Sequence, residues 1–265
     1  MLCHVLAEEG GRTWLAFRRP VATANGARLT THYVVCANDQ AILVDPGGVA
    51  DFGPLLAAIS DKIALEKIAG IIVTLRGTHA AGSIGMWSEV AGADLPIYAS
   101  DMIAAELMHT DAELNIVTVS ENGGEVPMAD GTSLHLMPAP YLPAASSMTI
   151  YDPACRVLYT GDIGTAEGVW CDDATPYCEQ FSLISHAMNA FHQSTLPLGA
   201  ARDEWLTRIE DVDVEIIAPL AGPCFRGKDV DHFKRWLGSM EVGVLVDHHT
   251  SSYLSKSTYV PDRGA

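Results

Sequence analysis

Apolar runs alternate with amphipathic segments along the first third of the chain. From His32, two segments rich in β-forming residues are joined by a turn at 37–40, and the second ends at Asp45, before Pro-Gly-Gly. Residues 52–63 place Leu and Ile at helical spacing, and 67–75 form a continuous apolar run typical of a strand buried on both faces. This pattern predicts a strand–helix–strand unit.

The same alternation continues to residue 240. We expect further strands at 95–99, 132–138, 147–151, 156–159 and 214–218. We expect further helices at 82–90, from 100 onward, and at 177–192, 200–209 and 230–240. No repeat or linker divides the chain, which predicts a single domain over 1–265. Strands in both halves, with helices between them, predict an α/β fold in which two mixed sheets pack face to face with helices outside, an αββα sandwich.

Composition narrows the classes of partner. The 265 residues are 48% hydrophobic and 18% charged, which is enough apolar material for a large core. A formal net charge of −17 repels the phosphates of nucleic acids and of anionic lipids. The apolar runs fall short of the ~20 residues that cross a bilayer, and Glu8 and Glu9 stand where a signal peptide would be positive or apolar. We therefore expect a cytoplasmic protein that binds neither nucleic acid nor membrane.

Several segments, in this order along the chain, resemble the metallo-β-lactamase superfamily. LVDPGG (43–48), IIVTLRGTHAAGS (71–83) and LYTGD (158–162) are similar to its strand ends and its metal-binding motif. YLPAASSMTIY (141–151) and EIIAPLAGPCFRG (215–227) resemble the β-lactamase-type domain of flavodiiron and oxygen-binding diiron proteins. The resemblance covers about Thr31 to Met240. It implies the metallo-β-lactamase-type αββα sandwich, and in the family this domain carries two metal ions.

The metal ligands of that family are mostly replaced in this chain. The seven ligand positions fall on Thr74, Arg76, Thr78, His79, Pro143, Asp162 and Ala221. Only His79 and Asp162 keep a side chain of the family's type, and Thr, Pro and Ala supply no comparable donors. We therefore expect a degenerate metal site, with the replaced positions lining a pocket and Asp45 in a supporting turn.

Arg76 gives the sharpest hypothesis about this pocket. A guanidinium stays protonated and cannot coordinate a cation, so an inward Arg76 would place a fixed positive charge where a metal would be. This predicts an Arg76–Asp162 ion pair. The alternatives are that Arg76 points to solvent, that His79 is a structural histidine and that Asp162 is a turn residue.

These expectations lead to two hypotheses about function. The first is a non-catalytic binding, sensing or regulatory protein, with no catalytic residue, no metal and an unknown small molecule or protein as partner. The second is a mononuclear iron or zinc protein, an oxidoreductase or a binder of O2 or NO, that uses His79 and Asp162. A metal-dependent hydrolase ranks last, because it needs a metal-activated water.

The end of the chain and the resemblance give three further expectations. Only about 25 residues follow Met240, with no flavodoxin-like domain and no phosphate-binding loop, so we expect no bound FMN. The resemblance also implies a homodimer. His248 and His249 are adjacent, and we interpret them as part of a tail or solvated loop, because neighbouring side chains on a strand point to opposite faces.

Overall fold

The computed structural model describes residues 1–23, 26–110, 113–168 and 174–243. The strands are β1 Leu2–Glu9, β2 Arg12–Thr23, β3 Gly26–Ala37, β4 Gln40–Val44, β5 Ile68–Val73, β6 Ile97–Ser100, β7 Ile116–Val119, β8 Gly124–Pro127, β9 Ser133–Pro138, β10 Met148–Asp152, β11 Val157–Gly161, β12 Ile216–Pro219 and β13 Phe225–Arg226. The helices are α1 Val49–Ser60, α2 Thr78–Ala81, α3 Ile84–Ala91, α4 Asp101–Thr110, α5 Phe181–Thr195, α6 Gly199–Arg208 and α7 Lys228–Ser239. His248 and His249 lie outside the described residues.

Within these residues the strands form two mixed sheets. The first has seven strands in the order β1-β2-β3-β4-β5-β6-β7, antiparallel up to β4 and parallel from β4 onward. The second has six strands in the order β13-β12-β11-β10-β9-β8, and its one parallel pair is β11 with β12. The parallel pairs leave their carboxyl ends side by side, and such ends commonly hold the functional site of an α/β fold.

Three apolar layers hold the sandwich together. The inner faces of the two sheets pack through residues such as Trp14 and Ile150. The outer face of the seven-stranded sheet buries the apolar side of α1, α3 and α4, including Leu55. The outer face of the six-stranded sheet buries α5, α6 and α7, including Phe233. The predicted αββα sandwich with helices outside is therefore confirmed.

The sequence pattern misses the N-terminal hairpin of β1 and β2. Arg12 and Arg18 occupy inward positions of β2 in line with Trp14 and Ala16, and all four side chains are buried. Charge at inward positions interrupts the apolar alternation by which a half-buried strand is recognised. The short strands β7, β8 and β13 also lie outside the predicted elements.

The expectation about membranes can be compared with the helices themselves. None of those in the described ranges has the length and apolar character needed to span a bilayer.

Candidate functional site

The ends of four strands bring the predicted site residues to one end of the sandwich. Asp45 follows β4 and Thr74 follows β5, and these strands are parallel neighbours. Asp162 follows β11, and Ala221 lies just beyond β12, the parallel neighbour of β11 in the other sheet. The hydroxyl of Tyr159, on β11, donates to the carboxylate of Asp45 at 2.7 Å, and this hydrogen bond joins the two sheets at this end of the sandwich.

Asp45 is a fully buried carboxylate that supports this end of the sandwich. It accepts hydrogen bonds from the Thr74 N–H at 2.9 Å, from the Thr74 hydroxyl and from the Tyr159 hydroxyl. Burial raises the pKa of Asp45 to about 6, although the hydrogen bonds from Thr74 and Tyr159 act in the opposite direction. Protein donors therefore engage both carboxylate oxygens, and they tie β4, β5 and β11 together.

The turn that follows Asp45 requires glycine at its third position. Gly47 has a φ of 90°, in the left-handed region. A Cβ atom there would lie 2.5 Å from Cε1 of the buried His32 and 2.9 Å from the Cβ of Asp51. The Pro-Gly-Gly sequence thus allows the turn to pack closely against β3 and α1.

His79 and Asp162 are brought together across the site. Nε2 of His79, on α2, lies 3.5 Å from Oδ2 of Asp162, and their side chains are 38% and 10% exposed. The interaction with Asp162 raises the pKa of His79, while burial and the charge of Arg28 lower it. The two residues predicted from the sequence as retained ligand positions thus lie within ion-pair distance of each other.

Arg76 does not form the predicted ion pair with Asp162. Its Nη2 pairs with Glu106 of α4, and both side chains are more than a third exposed. Arg76 lies in the segment between β5 and α2 and is exposed, and the residue after it, Gly77, has a φ of 118°. The hypothesis of a buried Arg76–Asp162 pair is therefore wrong, and His79 is the partner of Asp162.

The remaining predicted pocket positions have separate surroundings. Thr74 is fully buried and donates to Asp45, whereas Thr78 is exposed at the first residue of α2. Pro143 is half-buried in the loop between β9 and β10. Ala221 is fully buried and bridges to Thr30 of β3.

The residues at this end of the sandwich do not fit a dinuclear metal centre. Each ion of such a centre needs about four to six donors, mainly imidazole and carboxylate. Among the described residues, no cluster of three or more His, Cys, Asp or Glu side chains has a geometry that could hold a metal ion. The single pair of His79 and Asp162 falls short of that requirement.

An open cavity of about 390 Å³ lies between α2 and α4, and neither His79 nor Asp162 is among its lining residues. Its walls come from α2 and the turn before it, and from α4: Gly77, Thr78, Ala81, Gly82, Glu106, Leu107 and His109. Its lining is mostly apolar, and it includes the imidazole of His109 and the hydroxyl of Thr78. A cavity of this kind suits a small molecule with an apolar body and a few polar groups.

Sequence reasoning missed three residues that shape the site. Tyr159 closes the hydrogen bonds around Asp45. His192 of α5 is fully buried, and its Nε2 accepts the N–H of Gly164 at 2.8 Å, which fixes the loop that carries Asp162. Burial lowers the pKa of His192 to about 4, so it stays neutral. Arg28 of β3 acts electrostatically on His79. Their roles depend on contacts distant in sequence, and no local spacing signals them.

The fold and the site together define a metallo-β-lactamase-type domain close to flavodiiron proteins. The model of the family described as ODP family beta lactamase matches residues 29–222. The chain therefore belongs to this family. No curated protein matches the chain.

Solved structures with this fold cover nearly the whole chain. The apo state of the chemotaxis sensor ODP from T. denticola has a TM-score of 0.80 at 21% identity, over 91% of this chain and 96% of that one. The peroxy diiron species of chemotaxis sensor ODP has a TM-score of 0.79 at 23% identity, over 91% and 97%. The metal-soaked flavodiiron core Flv1 from Synechocystis has a TM-score of 0.75 at 19% identity, over 89% of this chain and 61% of that one. At these identities, the likeness concerns the fold.

Proposed function

We propose that this chain is a binding, sensing or regulatory member of its family that acts without a dinuclear metal centre. The observation that carries the proposal is the state of the seven ligand positions. His79 and Asp162 pair with each other, Arg76 is turned outward to Glu106, and the other four positions hold Thr, Pro and Ala. The donor set of this site does not fit two metal ions.

A sensory role is supported by the family and by the cavity. Two structures that share the fold are chemotaxis sensors, one of them a peroxy diiron species. In this chain, the open cavity between α2 and α4 has room for a small molecule and includes His109 in its lining. We propose that a small molecule bound there, rather than oxygen on two irons, is the signal that this chain detects and passes to a partner protein.

Metal analysis of protein purified without chelators tests the proposal. We expect less than about one-tenth equivalent of iron or zinc per chain, because two side chains are too few to retain a metal. Near-unit occupancy that is lost in His79→Ala would overturn the proposal and support the mononuclear iron or zinc protein. Asp213→Asn, an exposed carboxylate far along the chain from both residues, is the control variant.

Two expectations from the sequence remain predictions. A homodimer is predicted from the family resemblance, and a monomer mass by light scattering at micromolar concentration would contradict it. The absence of FMN is predicted from the missing phosphate-binding loop, and a stoichiometric flavin spectrum in the purified protein would contradict that.

A further inference from the structure

A buried arginine on β2 leaves one edge of its guanidinium without a partner. Arg18 is 3% exposed, and its Nη1 donates to the carbonyl oxygen of Thr175 at 2.7 Å. Its Nε and Nη2 are both buried and have no hydrogen-bond partner among the described residues. A buried guanidinium is normally paired, because an uncompensated charge in the interior is strongly unfavourable.

The two unpartnered nitrogens are the pair that suits a carboxylate. Nε–H and Nη2–H lie parallel on one side of the guanidinium plane and can donate to both oxygens of a single carboxylate. Thr31 lies directly opposite Arg18 on β3, and opposite residues in an antiparallel pair have Cβ atoms about 5 Å apart. The hydroxyl of Thr31 is also buried without a hydrogen-bond partner among the described residues. Arg18 and Thr31 thus share one face at one register position of β2 and β3, and their buried polar atoms have no hydrogen-bond partner in the part of the chain that the structure describes.

Arg12 offers a comparison, because the same edge of its guanidinium is hydrogen-bonded to a carboxylate. It lies on the same strand and the same face as Arg18 and is equally buried. Its Nε and Nη2 both donate to the Asp130 carboxylate, at 3.2 and 2.7 Å, and Nη2 also contacts the Thr132 hydroxyl. Arg18 and Thr31 likewise offer a guanidinium and a hydroxyl, but no carboxylate of residues 1–23, 26–110, 113–168 or 174–243 is bonded to them.

The residue that accepts the hydrogen bond of Arg18 lies nearer the surface than Arg18 itself. Thr175, which holds Nη1, is only half-buried, and its hydroxyl accepts the N–H of Tyr177 at 3.2 Å. The exposed Arg226 stacks on the ring of Tyr177, with its guanidinium carbon 4.0 Å from the ring centroid. A second arginine thus stacks on a residue two positions from Thr175 and adds positive charge to this part of a chain that is acidic overall.

We propose that Arg18 and Thr31 form a binding site for the carboxylate group of a small-molecule ligand. Nε–H and Nη2–H of Arg18 donate to its two oxygens, and the hydroxyl of Thr31 donates a third hydrogen bond. This proposal does not depend on the function proposed for the His79–Asp162 pair.

The Nε–H resonance of Arg18 in the full chain reports directly on this site. The probes are sodium acetate, succinate and benzoate, each compared with sodium chloride at equal ionic strength. We expect one arginine Nε–H signal to shift saturably with at least one of the three carboxylates. That signal should be absent from the spectrum of Arg18→Lys, which keeps the positive charge but has no Nε–H and Nη2–H donor pair. Arg19→Lys, on the opposite face of β2, is the matched control and should keep the response. No saturable shift with any of the three probes would overturn the proposal.

Two further variants separate the sources of the carboxylate and guard against misfolding. Thr31→Val leaves Arg18 in place, and we expect it to weaken binding by about tenfold through the loss of one hydrogen bond to a charged group. Unchanged affinity would remove Thr31 from the site.

Asp172 and Asp173 shortly precede Thr175 in the sequence. The double variant Asp172→Asn, Asp173→Asn tests whether the chain supplies its own carboxylate. If the added carboxylates shift the Arg18 Nε–H signal in this variant but not in the wild type, the proposal of a free ligand fails.

Discussion

Arg76 carries its guanidinium to Glu106 on α4, away from Asp162. Arg76 and Glu106 are 30 residues apart in the sequence, and their ion pair links the loop after β5 to α4, the helix that follows β6. His79 faces Asp162 instead, and Glu106 also lines the open cavity between α2 and α4. The nitrogen nearest Asp162 among the predicted ligand positions therefore belongs to a histidine, whose protonation can change, and not to a guanidinium.

The first prediction concerns the energy of the Arg76–Glu106 pair. Because both side chains are more than a third exposed, we expect a coupling energy of under ~1 kcal/mol in a double-mutant cycle of Arg76→Ala and Glu106→Ala. The matching cycle of Arg76→Ala and Asp162→Ala should be additive within about 0.5 kcal/mol, since these residues are not paired. Denaturant unfolding measures both. A coupling energy of several kcal/mol between Arg76 and Asp162 would instead restore the buried pair.

Arg76 also shows where sequence reasoning ends. The strand before it, β5, and the helix α3 follow from apolar periodicity and lie close to where that periodicity puts them, whereas the short helix α2 falls in a segment predicted as a loop. The direction of the Arg76 side chain depends instead on a partner 30 residues away and on the left-handed Gly77 beside it. The ligand positions could thus be placed in order along the chain, whereas their pairing could not.

The burial of Arg12 likewise depends on residues that are distant in the sequence. An arginine in a run of alternating residues normally indicates a solvent-facing position, yet its side chain is fully buried between Asp130 and Asp152. Those partners lie more than 100 residues further along the chain. Local pattern therefore predicts the strands whose inward faces are apolar, and it misses the strand whose inward face carries paired charge.

The second prediction concerns the pH dependence of stability that Asp45 produces. Its pKa is about 6 in the folded protein, against 3.8 for an ordinary aspartate, because the carboxylate is buried. The native state therefore binds more protons than the unfolded state between these values. The associated stability is complete below pH 3.8 and is lost as the pH rises through 6.

Comparison with Asp45→Asn isolates this contribution. The side chain of the variant does not titrate, so the wild type should lose up to about 3 kcal/mol of unfolding free energy relative to the variant between pH 4 and 6.5. Asp213→Asn removes a carboxylate that is 75% exposed and should follow the wild type. Parallel stability curves for wild type and Asp45→Asn would show that Asp45 keeps an ordinary pKa.

The third prediction separates backbone strain from steric clash in the turn after Asp45. Gly47 and Gly11 both have φ in the left-handed region, at 90° and 85°, but only at Gly47 would a Cβ meet neighbouring atoms, the nearest being Cε1 of His32 at 2.5 Å. We expect Gly11→Ala to cost about 1–2 kcal/mol of stability from the backbone alone. Gly47→Ala should cost about 1–3 kcal/mol more, because the added methyl overpacks a filled site. Equal losses in thermal unfolding would mean that the turn relaxes around the methyl group.

The last prediction rebuilds the ligand set of the family in this scaffold. The variant combines five substitutions: Thr74→His, Arg76→Glu, Thr78→Asp, Pro143→His and Ala221→His. With His79 and Asp162 these supply seven imidazole or carboxylate side chains at one end of the sandwich, and we expect two irons per chain where the wild type retains less than about one-tenth equivalent. Iron analysis after desalting measures the difference.

The rebuilt variant also carries a predicted loss of stability, which makes its control essential. Thr74→His removes a hydroxyl that donates to Asp45, and Ala221→His adds a ring at a fully buried position, so the metal-free variant should be less stable than the wild type by at least ~1–3 kcal/mol. The same five substitutions together with His79→Ala keep these losses but remove a ligand, and they should lower the iron content. If the rebuilt variant is folded by circular dichroism but binds no iron, the backbone does not bring these seven positions together as it does in the family. The absence of metal would then reflect the scaffold as well as the side chains.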